Sequence, residues 1–471
     1  MKKKIVVIGA GVGGSGCAAL LAGAGHEVTV LETHPFVGGR CSTFEKEGFV
    51  YDFGVHMFSL GDTGPHGEIN RRVNGDLKWV TKDPPCRVMG KMDFDFPLDI
   101  KPLPRLIRLA FKLGVRPKNY LGAWLLFRNL LAGNGVKEND SVLLKDYISR
   151  YTSDERIHLF VTCICQLYFA LSYKQASAGE FIWCFSRMFN NAAFGYPQGG
   201  ARAIPRTFVD AVQRFGGTVK YETAVTGIKI ENNRATGVET KNGFYPADIV
   251  ISNAGLLRTI DLAGTGYFPG DYVKRAETLR YSNPYVTITY ALNRPVVPYP
   301  VVFYMPDLAA DTIFDYVDAQ TVPADPYLFM PIPSNIDPGL APPGKQLIVA
   351  GTPVAPGADE ALCHRVLDKV DERVFKLFPE IKTTMRWQER GTRADTTGIT
   401  FHPPGGAIGL GQFPGQTGAG RPALETPVKG LYLVGADAGS RGIGTELAAG
   451  SAINLFKMLS ASTGRGPEPN R

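Results

Sequence analysis

The sequence has little of what marks disulfide-rich or metal-binding proteins. Only 7 of its 471 residues are cysteines, and they are scattered, odd in number and free of any C-x-x-C pair. This pattern argues against a disulfide framework, so we expect a reducing compartment and no metal site. The chain also lacks an H-E-x-x-H motif, a P-loop and a complete G-x-S-x-G element, which argues against zinc proteases, P-loop NTPases and α/β-hydrolases.

Long uninterrupted apolar runs are missing too. No run approaches the roughly 18 residues that a membrane-spanning helix requires. Lys2–Lys4 and the small-residue run Ile5–Gly25 imitate a signal peptide. However, glycines interrupt this run, and it leads directly into His26–Leu31, which is typical of a β-strand. We therefore expect a cytoplasmic protein without a transmembrane helix.

The balance of charge is only mildly basic. Lysine and arginine number 51 against 44 acidic residues, which gives a net charge of +7. This diffuse excess does not indicate nucleic-acid binding, but it would suit an anionic cofactor or an anionic membrane surface. With 44% hydrophobic and 20% charged residues the chain should be globular, and its length predicts two domains.

The chain opens with a predicted β-strand, glycine-rich turn, helix and second strand, over residues 4–8, 9–14, 15–24 and 27–32. The turn fits G-x-G-x-x-G, in which Gly9 permits the tight turn and Gly11 lets a pyrophosphate approach the backbone. Gly14 lets the helix meet the strand, and Gly13 lies in the same turn. The helix N-terminus favours phosphate, and Glu32 can accept hydrogen bonds from ribose hydroxyls. These features predict a dinucleotide site without a 2′-phosphate.

Two short motifs follow, Gly38-Gly39-Arg40 and Asp52-Phe-Gly54-Val55-His56. At this spacing they resemble the second glycine signature and the D-x-G segment of the FAD-dependent amine-oxidase and phytoene-desaturase superfamily. The resemblance implies that Gly39 passes close to FAD and that Arg40 lies near its phosphate or ribityl part. It also implies that the backbone of residues Gly54, Val55 and His56 runs along the isoalloxazine ring.

The resemblance extends over the rest of the chain, through residues 196–200, 218–230, 247–254 and 430–454. It is nearest to the phytoene-desaturase and carotenoid-isomerase branch. By this resemblance Val225 would contact the adenine, and Asp437 would lie near the ribityl chain and the pyrophosphate. Gly444 and Thr445 would open a helix whose N–H groups face the flavin N1/C2=O edge. Because no Cys or His occupies the places where relatives attach flavin, FAD should be bound non-covalently.

The implied fold class is α/β, with a Rossmann-like (GR2-type) FAD-binding domain and an interleaved α+β substrate domain. Residues 1–75, 196–275 and 421–471 would form the discontinuous FAD-binding domain. Residues 76–195 and 276–420 would form the domain that faces the substrate and the membrane. The further predicted elements are helices over 104–131, 159–189, 203–215, 359–378 and 447–459, and strands over 218–231, 234–240, 248–252 and 431–434.

The pattern of residues 103–131 is compatible with contact at a membrane surface. Within 103–113 the apolar residues share one helical face and the cations another, which is typical of an interfacial membrane helix. An ordinary amphipathic helix that covers its own core has the same pattern. The apolar residues are Leu103, Leu106, Ile107, Ala110 and Leu113, and the cations are Arg105, Arg108 and Lys112. We expect peripheral membrane contact here, with the 159–189 helix and the glycine-rich 403–420 loop lining a long apolar pocket.

The resemblance implies an FAD-dependent oxidoreductase that desaturates a hydrophobic isoprenoid, carotenoid or terpene-like substrate by hydride transfer to flavin N5. The electrons would pass to a quinone, oxygen or another acceptor. Glu446 and His56 are the candidate acid/base residues, although Glu446 could instead satisfy backbone donors and His56 could simply pack against the flavin. Three alternatives are a redox-neutral polyene isomerase, an amine oxidase and a non-enzymatic isoprenoid-binding escort protein.

Overall fold

The computed structural model describes residues 2–54, 57–96, 103–191, 194–400, 406–439 and 441–462. Its centre is a five-stranded parallel sheet whose strands come from widely separated parts of the chain. They are β1 (Lys4–Ile8), β2 (Glu27–Leu31), β9 (Thr218–Lys220), β13 (Ile249–Ser252) and β19 (Leu431–Leu433). Their order is β19-β13-β1-β2-β9, which places β1 in the middle.

Strand β1 is apolar from Ile5 to Ile8 because both faces of its sheet are covered. Ile5 and Val7 belong to one hydrophobic core, and Val6 and Ile8 belong to another. Alternate side chains of a strand point to opposite faces, so a sheet buried on both sides needs an unbroken apolar run. The segment that imitates a signal peptide is thus part of the buried centre of the molecule.

Helices cover one face of this sheet, and a smaller sheet covers the other. Helix α1 packs against α8 and α16, and α16 packs against α2. The ranges are α1 (Val12–Gly23), α2 (Pro65–Arg72), α8 (Ala203–Arg214) and α16 (Gly444–Ser462). The opposite face carries β10 (Val225–Glu231), β11 (Arg234–Thr240) and β12 (Gly243–Pro246), together with α9 (Leu256–Ala263) and α10 (Gly270–Thr278).

A second, seven-stranded sheet forms the other layer of the molecule. Its strands are β6 (Cys86–Gly90), β7 (Phe94–Phe96), β14 (Tyr285–Leu292), β15 (Val301–Met305), β16 (Leu328–Pro331), β17 (Gln346–Pro353) and β18 (Met385–Gly391). The order is β18-β14-β17-β16-β15-β6-β7, and only β15 and β6 pair in parallel. Helix α13 (Glu360–Leu377) packs against β14 and β17.

A group of helices completes this second layer. It comprises α3 (Leu103–Lys112), α4 (Tyr120–Ala132), α5 (Leu144–Ser149), α6 (Glu155–Phe169) and α7 (Ala178–Asn191). The remaining short elements are β3 (Thr43–Lys46), β4 (Phe49–Asp52), β5 (Trp79–Val80), β8 (Tyr196–Pro197), α11 (Asp315–Asp318), α12 (Pro333–Ile336), α14 (Glu380–Thr384) and α15 (Arg393–Thr400). This architecture confirms the predicted Rossmann-like α/β fold, while the exact domain boundaries stay predictions.

Three elements that were predicted to be continuous are interrupted in the structure. The helix predicted over 104–131 is two helices, because α3 ends before Gly114, whose φ is +72°. The helix predicted over 159–189 breaks at Ala170, which adopts the left-handed conformation at φ 48° and ends α6. The strand predicted over 218–231 is split between β9 and β10, which belong to different sheets.

Two helices begin earlier in the chain than predicted. Helix α1 begins at Val12, so Gly13 and Gly14 belong to its first turn and not to the preceding loop. Helix α16 begins at Gly444, three residues before the predicted start at 447. In both cases the helix N-terminus extends farther towards the carboxyl ends of the parallel strands.

Candidate cofactor and substrate site

An elongated cavity lies at the carboxyl ends of β1, β2, β13 and β19. It contains about 1260 Å³ of space, counting the part open to solvent. Strand β1 pairs with β2 on one side and β13 on the other, so the chain switches direction across the sheet at this point. Ligands of doubly wound α/β sheets bind in such a crevice.

The glycine-rich turn forms one wall of this cavity. Gly9 has a φ of +89°, which favours glycine. A Cβ atom at Gly13 would lie 2.8 Å from the amide nitrogen of Gly435, so a side chain there would push two backbone segments apart. Gly9, Gly11 and Gly13 line the cavity. The first-turn amides of α1 lack intrahelical acceptors and can serve an anionic ligand.

Gly14 has a different role from the other glycines of the turn. A Cβ atom at this position would lie 2.1 Å from the carbonyl oxygen of Gly9. The absence of a side chain therefore lets helix α1 pack closely behind the turn, as the sequence motif implies. Gly14 supports the shape of the cavity from behind and is not among its lining residues.

Glu32 lies just beyond β2 and lines the cavity. Its Oε2 accepts a hydrogen bond from the amide of Ala10 at 2.7 Å, and its Oε1 accepts one from the amide of His34 at 3.0 Å. These bonds fix the orientation of the carboxylate. Because an ionised carboxylate has about four acceptor positions, Glu32 retains capacity for ribose hydroxyl groups.

Arg40 lies half-buried at the junction of two cavities. Its Nε donates to the carbonyl oxygen of Gly406 at 3.3 Å, and its Nη2 finds no partner within the described parts of the chain. Burial lowers the pKa of Arg40, and the nearby Asp437 carboxylate opposes this shift. The buried Nη2 atom without a partner requires an acceptor, which suits the phosphate or ribityl part of a flavin dinucleotide.

The C-terminal segment supplies the opposite wall. Asp437, Gly444 and Thr445 line the cavity. The Asp437 carboxylate is buried and accepts from the Tyr281 hydroxyl at 3.3 Å. Helix α16 starts at this wall, so its N-terminal amides and its positive dipole end face the cavity. Ser451 links the helix to the turn after β19 by accepting from the amide of Gly435 at 2.9 Å.

The other predicted cofactor residues divide into three groups. Val225 is buried and lines the first cavity, where the adenine was expected. Gly39 lines the same cavity, and Gly54 lines the second. Val55 and His56 lie outside the described residues.

A second cavity adjoins the first and is bounded mainly by apolar side chains. It contains about 1370 Å³, again counting open space, and it shares Arg40, Gly444 and Thr445 with the first cavity. Its walls include α6, β14, β17 and the segment Ala407–Ile408. Of the predicted 403–420 loop, residues 403–405 lie outside the described residues. Of the predicted 159–189 helix, Gln166–Tyr168 and Ala170 reach the cavity.

Glu446 is the acidic residue in the wall of this second cavity. Its carboxylate accepts from the Ser59 hydroxyl at 2.9 Å and from the Leu60 amide at 2.8 Å. Burial raises the pKa of Glu446, and these donors partly offset the shift. Its partners lie in the 59–60 segment, so the carboxylate satisfies a backbone donor from outside its own helix.

An ionic cluster behind this site was not predicted from the sequence. Glu180, which is fully buried on α7, accepts from the amide of Gly442 at 2.6 Å and from Arg441 Nη1 at 2.9 Å. Arg441 also donates to both carboxylate oxygens of Asp140, at 2.9 and 2.6 Å. The cluster fixes the turn before α16. A glutamate in an aromatic helix gives no sequence signal for such a role.

Asn253 and Arg258 also line the first cavity without having been predicted as site residues. Asn253 follows β13, and a Cβ atom at Gly11 would lie 2.8 Å from its Nδ2. Its position at the carboxyl end of a buried parallel strand was a usable signal. Arg258 lies in the first turn of α9, which only the folded arrangement brings to the cavity.

The described residues contain no group of three or more His, Cys, Asp and Glu side chains that could hold a metal ion. Each of the seven cysteines is buried and is not in a disulfide. Within the described ranges, no helix has the length and apolar character needed to cross a bilayer.

The prediction that the apolar face of residues 103–113 lies at the surface is partly wrong. Leu106, Ala110 and Leu113 are buried against the protein's own core, in agreement with the alternative of an ordinary amphipathic helix. Ile107 is 50% exposed, and Phe111, which was not on the predicted face, is 76% exposed. Leu121 on α4 is 67% exposed. The side chain of Leu103 lies outside the described residues.

The glycine turn, the unpaired Arg40 nitrogen and the N-termini of α1 and α16 together fit a flavin adenine dinucleotide. They define the class of protein as an FAD-dependent oxidoreductase. The chain belongs to the family of flavin containing amine oxidoreductases, which its sequence matches over residues 16–454. The predicted resemblance and the predicted cofactor, FAD, are both confirmed.

Comparisons with individual proteins agree with this assignment. The chain is 27% identical to the zeta-carotene-forming phytoene desaturase of Myxococcus xanthus, over 92% of this chain and 89% of that protein. It is 25% identical to all-trans-retinol 13,14-reductase of Danio rerio, covering 92% and 82% respectively. It is also 25% identical to prolycopene isomerase 2 of an Oncidium hybrid cultivar, covering 98% and 84%.

A solved structure shows the same fold. An oxidoreductase from Methanosarcina mazei superimposes with a TM-score of 0.76 at 24% sequence identity. The match covers 96% of this chain and 100% of that one. The likeness therefore concerns the entire arrangement of the two layers.

Proposed function

We propose that this protein is an FAD-dependent oxidoreductase that introduces a double bond into a hydrophobic polyene or isoprenoid. The observation that carries the proposal is the large apolar cavity that meets the dinucleotide cavity at Arg40, Gly444 and Thr445. A substrate held there would contact the reactive edge of the cofactor along an apolar wall. The phytoene desaturase of Myxococcus xanthus and the carotenoid and retinoid enzymes among the relatives support this substrate class.

FAD, when bound, supplies the acceptor for a hydride from a carbon next to a double bond. The protein residues position the substrate, exclude water and stabilise charge. The N-terminal amides of α16 would stabilise negative charge on the reduced cofactor. We propose that the residues predicted to bind FAD do so, with Glu32 on the ribose, Arg40 on the phosphate or ribityl part and Val225 by the adenine.

Desaturation removes one hydride and one proton from neighbouring carbons. Glu446 is our candidate for the proton acceptor because its carboxylate lies in the cavity wall beside Thr445. Its raised pKa makes it a stronger base than an exposed glutamate. The reduced cofactor would then be reoxidised by a quinone, oxygen or another acceptor.

The test is anaerobic mixing of the FAD-loaded protein with phytoene in detergent micelles. We expect the absorbance of the oxidised flavin to fall, and the product to contain two hydrogen atoms fewer than the substrate. Spermidine serves as the control for the amine-oxidase alternative. Unchanged flavin absorbance with phytoene would overturn the proposal, and flavin reduction by spermidine would favour the amine-oxidase alternative.

The same experiment separates desaturation from redox-neutral isomerisation. The similarity to prolycopene isomerase 2 over 98% of the chain favours isomerisation as the second candidate. An isomerase would yield a product of the same mass and would consume no electron acceptor. It would act only after the cofactor had been reduced, so pre-reduction with dithionite should start the reaction instead of stopping it.

We also propose peripheral membrane contact through α3 and α4. The exposed apolar side chains Ile107, Phe111 and Leu121 lie on helices that also carry exposed cations. Apolar side chains flanked by cations suit insertion into a bilayer surface with anionic headgroups. Such contact would shorten the path of an apolar substrate from a membrane, and it is compatible with the predicted cytoplasmic location.

A further inference from the structure

One wall of the apolar cavity contains a buried polar pair, Gln166 on α6 and Tyr285 on β14. Both residues line the cavity. Gln166 Nε2 donates to the Tyr285 hydroxyl oxygen at 2.9 Å. The other polar atom of the amide, Oε1, is buried and has no hydrogen-bond partner in the described parts of the chain.

A second unsatisfied group lies near this pair. Tyr327 is fully buried, and its hydroxyl has no partner among the described residues. Its phenol interacts electrostatically with those of Tyr285 and Tyr316. Tyr316, by contrast, is satisfied, because its hydroxyl donates to the Pro353 carbonyl oxygen at 3.0 Å. In the part of the cavity wall formed by α6 and β14, the hydrogen-bonding capacity that a ligand could meet lies at Gln166 and Tyr285.

Each buried donor or acceptor left without a hydrogen bond destabilises a protein, because its interactions with water are lost and are not replaced. Rotating the Gln166 amide does not remove the deficit, since one of its two polar atoms would still lack a partner. Because the Tyr285 oxygen accepts from Gln166, the Tyr285 hydroxyl keeps its own proton to donate. The pair therefore presents one acceptor and one donor.

We infer that the substrate is an oxygenated polyene whose hydroxyl group hydrogen-bonds with Gln166 and Tyr285. A hydroxyl group can donate to Gln166 Oε1 and accept from Tyr285 at the same time. A pure hydrocarbon would leave both protein groups unpaired after it had displaced water from the cavity. This inference rests on the proposed function, since it assumes that the cavity holds the polyene.

The test uses two pairs of ligands whose members differ only in the presence of hydroxyl groups, two in the first pair and one in the second. They are zeaxanthin with β-carotene, and all-trans-retinol with axerophthene, in which a methyl group replaces the hydroxymethyl group. Binding to the FAD-loaded protein is measured by the change in flavin absorbance during titration. We expect at least one hydroxylated ligand to bind about tenfold more tightly than its hydrocarbon partner, which corresponds to about 1.4 kcal/mol.

The variants Gln166→Leu and Tyr285→Phe identify the groups responsible. In each variant we expect the preference to fall below about threefold, mainly through weaker binding of the hydroxylated ligand. Val349→Ala is the matched control, because Val349 lines the same cavity with an apolar side chain. It should change the affinities of both members of a pair alike.

The possible failures can be told apart. Equal affinity for both members of each pair in the wild-type protein would overturn the inference and leave the polyene proposal standing. A preference that survives in both variants would also overturn it, because the hydroxyl group would then be recognised elsewhere. If none of the four ligands bound, the inference would be wrong, and the phytoene experiment would decide separately whether the proposed function stands.

Discussion

Glu446 brings an ionisable group into a cavity wall that is otherwise mostly apolar. Its carboxylate is held by the Ser59 hydroxyl and the Leu60 amide, and burial raises its pKa above that of a free glutamate. The sequence identified this residue as a candidate but could not show its surroundings. Its partners lie 387 and 386 residues earlier in the chain, at positions without a recognisable motif.

We expect Glu446→Gln to slow flavin reduction by polyene about 100-fold, within the usual range for loss of a general base. A base acts in its ionised form, so the wild-type rate should rise with pH through the raised pKa of Glu446. The Gln variant should lack this rise. Rapid-mixing absorbance measurements from about pH 5 to 9, in buffers of constant ionic strength, test both points.

Ser59→Ala is the control for Glu446. Loss of a donor to the carboxylate should raise the pKa of Glu446 further and shift the rise in rate to higher pH, without abolishing it. If Glu446→Gln reduced its flavin at the wild-type rate, the carboxylate would have only the structural role of accepting from Ser59 and Leu60.

At the scale of elements, periodicity predicted some helices well and others badly. Helix α13 (Glu360–Leu377) and helix α8 (Ala203–Arg214) match their predictions within one residue at each end. The break between α6 and α7 was missed because Ala170 takes a left-handed conformation that usually needs Gly or Asn. The split of 218–231 was missed because both parts have strand-like sequences, and only tertiary pairing assigns them to different sheets.

The helix pair α3–α4 carries the membrane proposal. We expect the double variant Phe111→Ser, Leu121→Ser to bind anionic vesicles at least about tenfold more weakly, because burying one large apolar side chain contributes about 1.5–3 kcal/mol. Co-sedimentation with phosphatidylglycerol vesicles measures the partition coefficient. These side chains are 76% and 67% exposed, so their replacement should not disturb the core.

Phe244→Ser is the matched control for this prediction. Phe244 is 45% exposed on β12, in the sheet that packs beside the dinucleotide-binding layer. Its replacement should leave vesicle binding unchanged. Equal losses in the control and the double variant would contradict a specific role for α3 and α4, as would the absence of vesicle binding by the wild-type protein.

At the scale of the whole molecule, the sequence predicted that distant segments meet at one dinucleotide. Strands β1, β13 and β19 lie side by side, and the segments that follow them line one cavity. The order of the seven-stranded sheet was not predicted. The neighbours of its strands are set by long-range packing instead of local pattern.

FAD should therefore stabilise the molecule as a unit. At a hundredfold excess over its dissociation constant, a ligand that binds only the folded state adds about 2.7 kcal/mol to the free energy of unfolding. We expect a rise of this size on adding FAD to the wild-type apoprotein. In Gly11→Ala the rise should be largely lost, because the added Cβ atom would crowd Asn253 at 2.8 Å beside the pyrophosphate site. Urea unfolding with and without FAD measures both.

Gly266→Ala is the control for this measurement. A Cβ atom added at Gly266 would enter open space, with no heavy atom within 4 Å. The FAD-dependent stabilisation of this variant should equal that of the wild-type protein. A wild-type apoprotein whose unfolding curve does not respond to FAD would contradict the proposed binding site.

The place of β19 and the start of α16 in the chain has a consequence for biosynthesis. The ribosome makes the glycine turn of residues 9–14 early, but residues 431–445 emerge only after most of the polypeptide. Until this segment has left the ribosome, the nascent chain contains only part of the FAD site. Flavin loading should thus be a late event, and cells starved of riboflavin should accumulate full-length but empty protein.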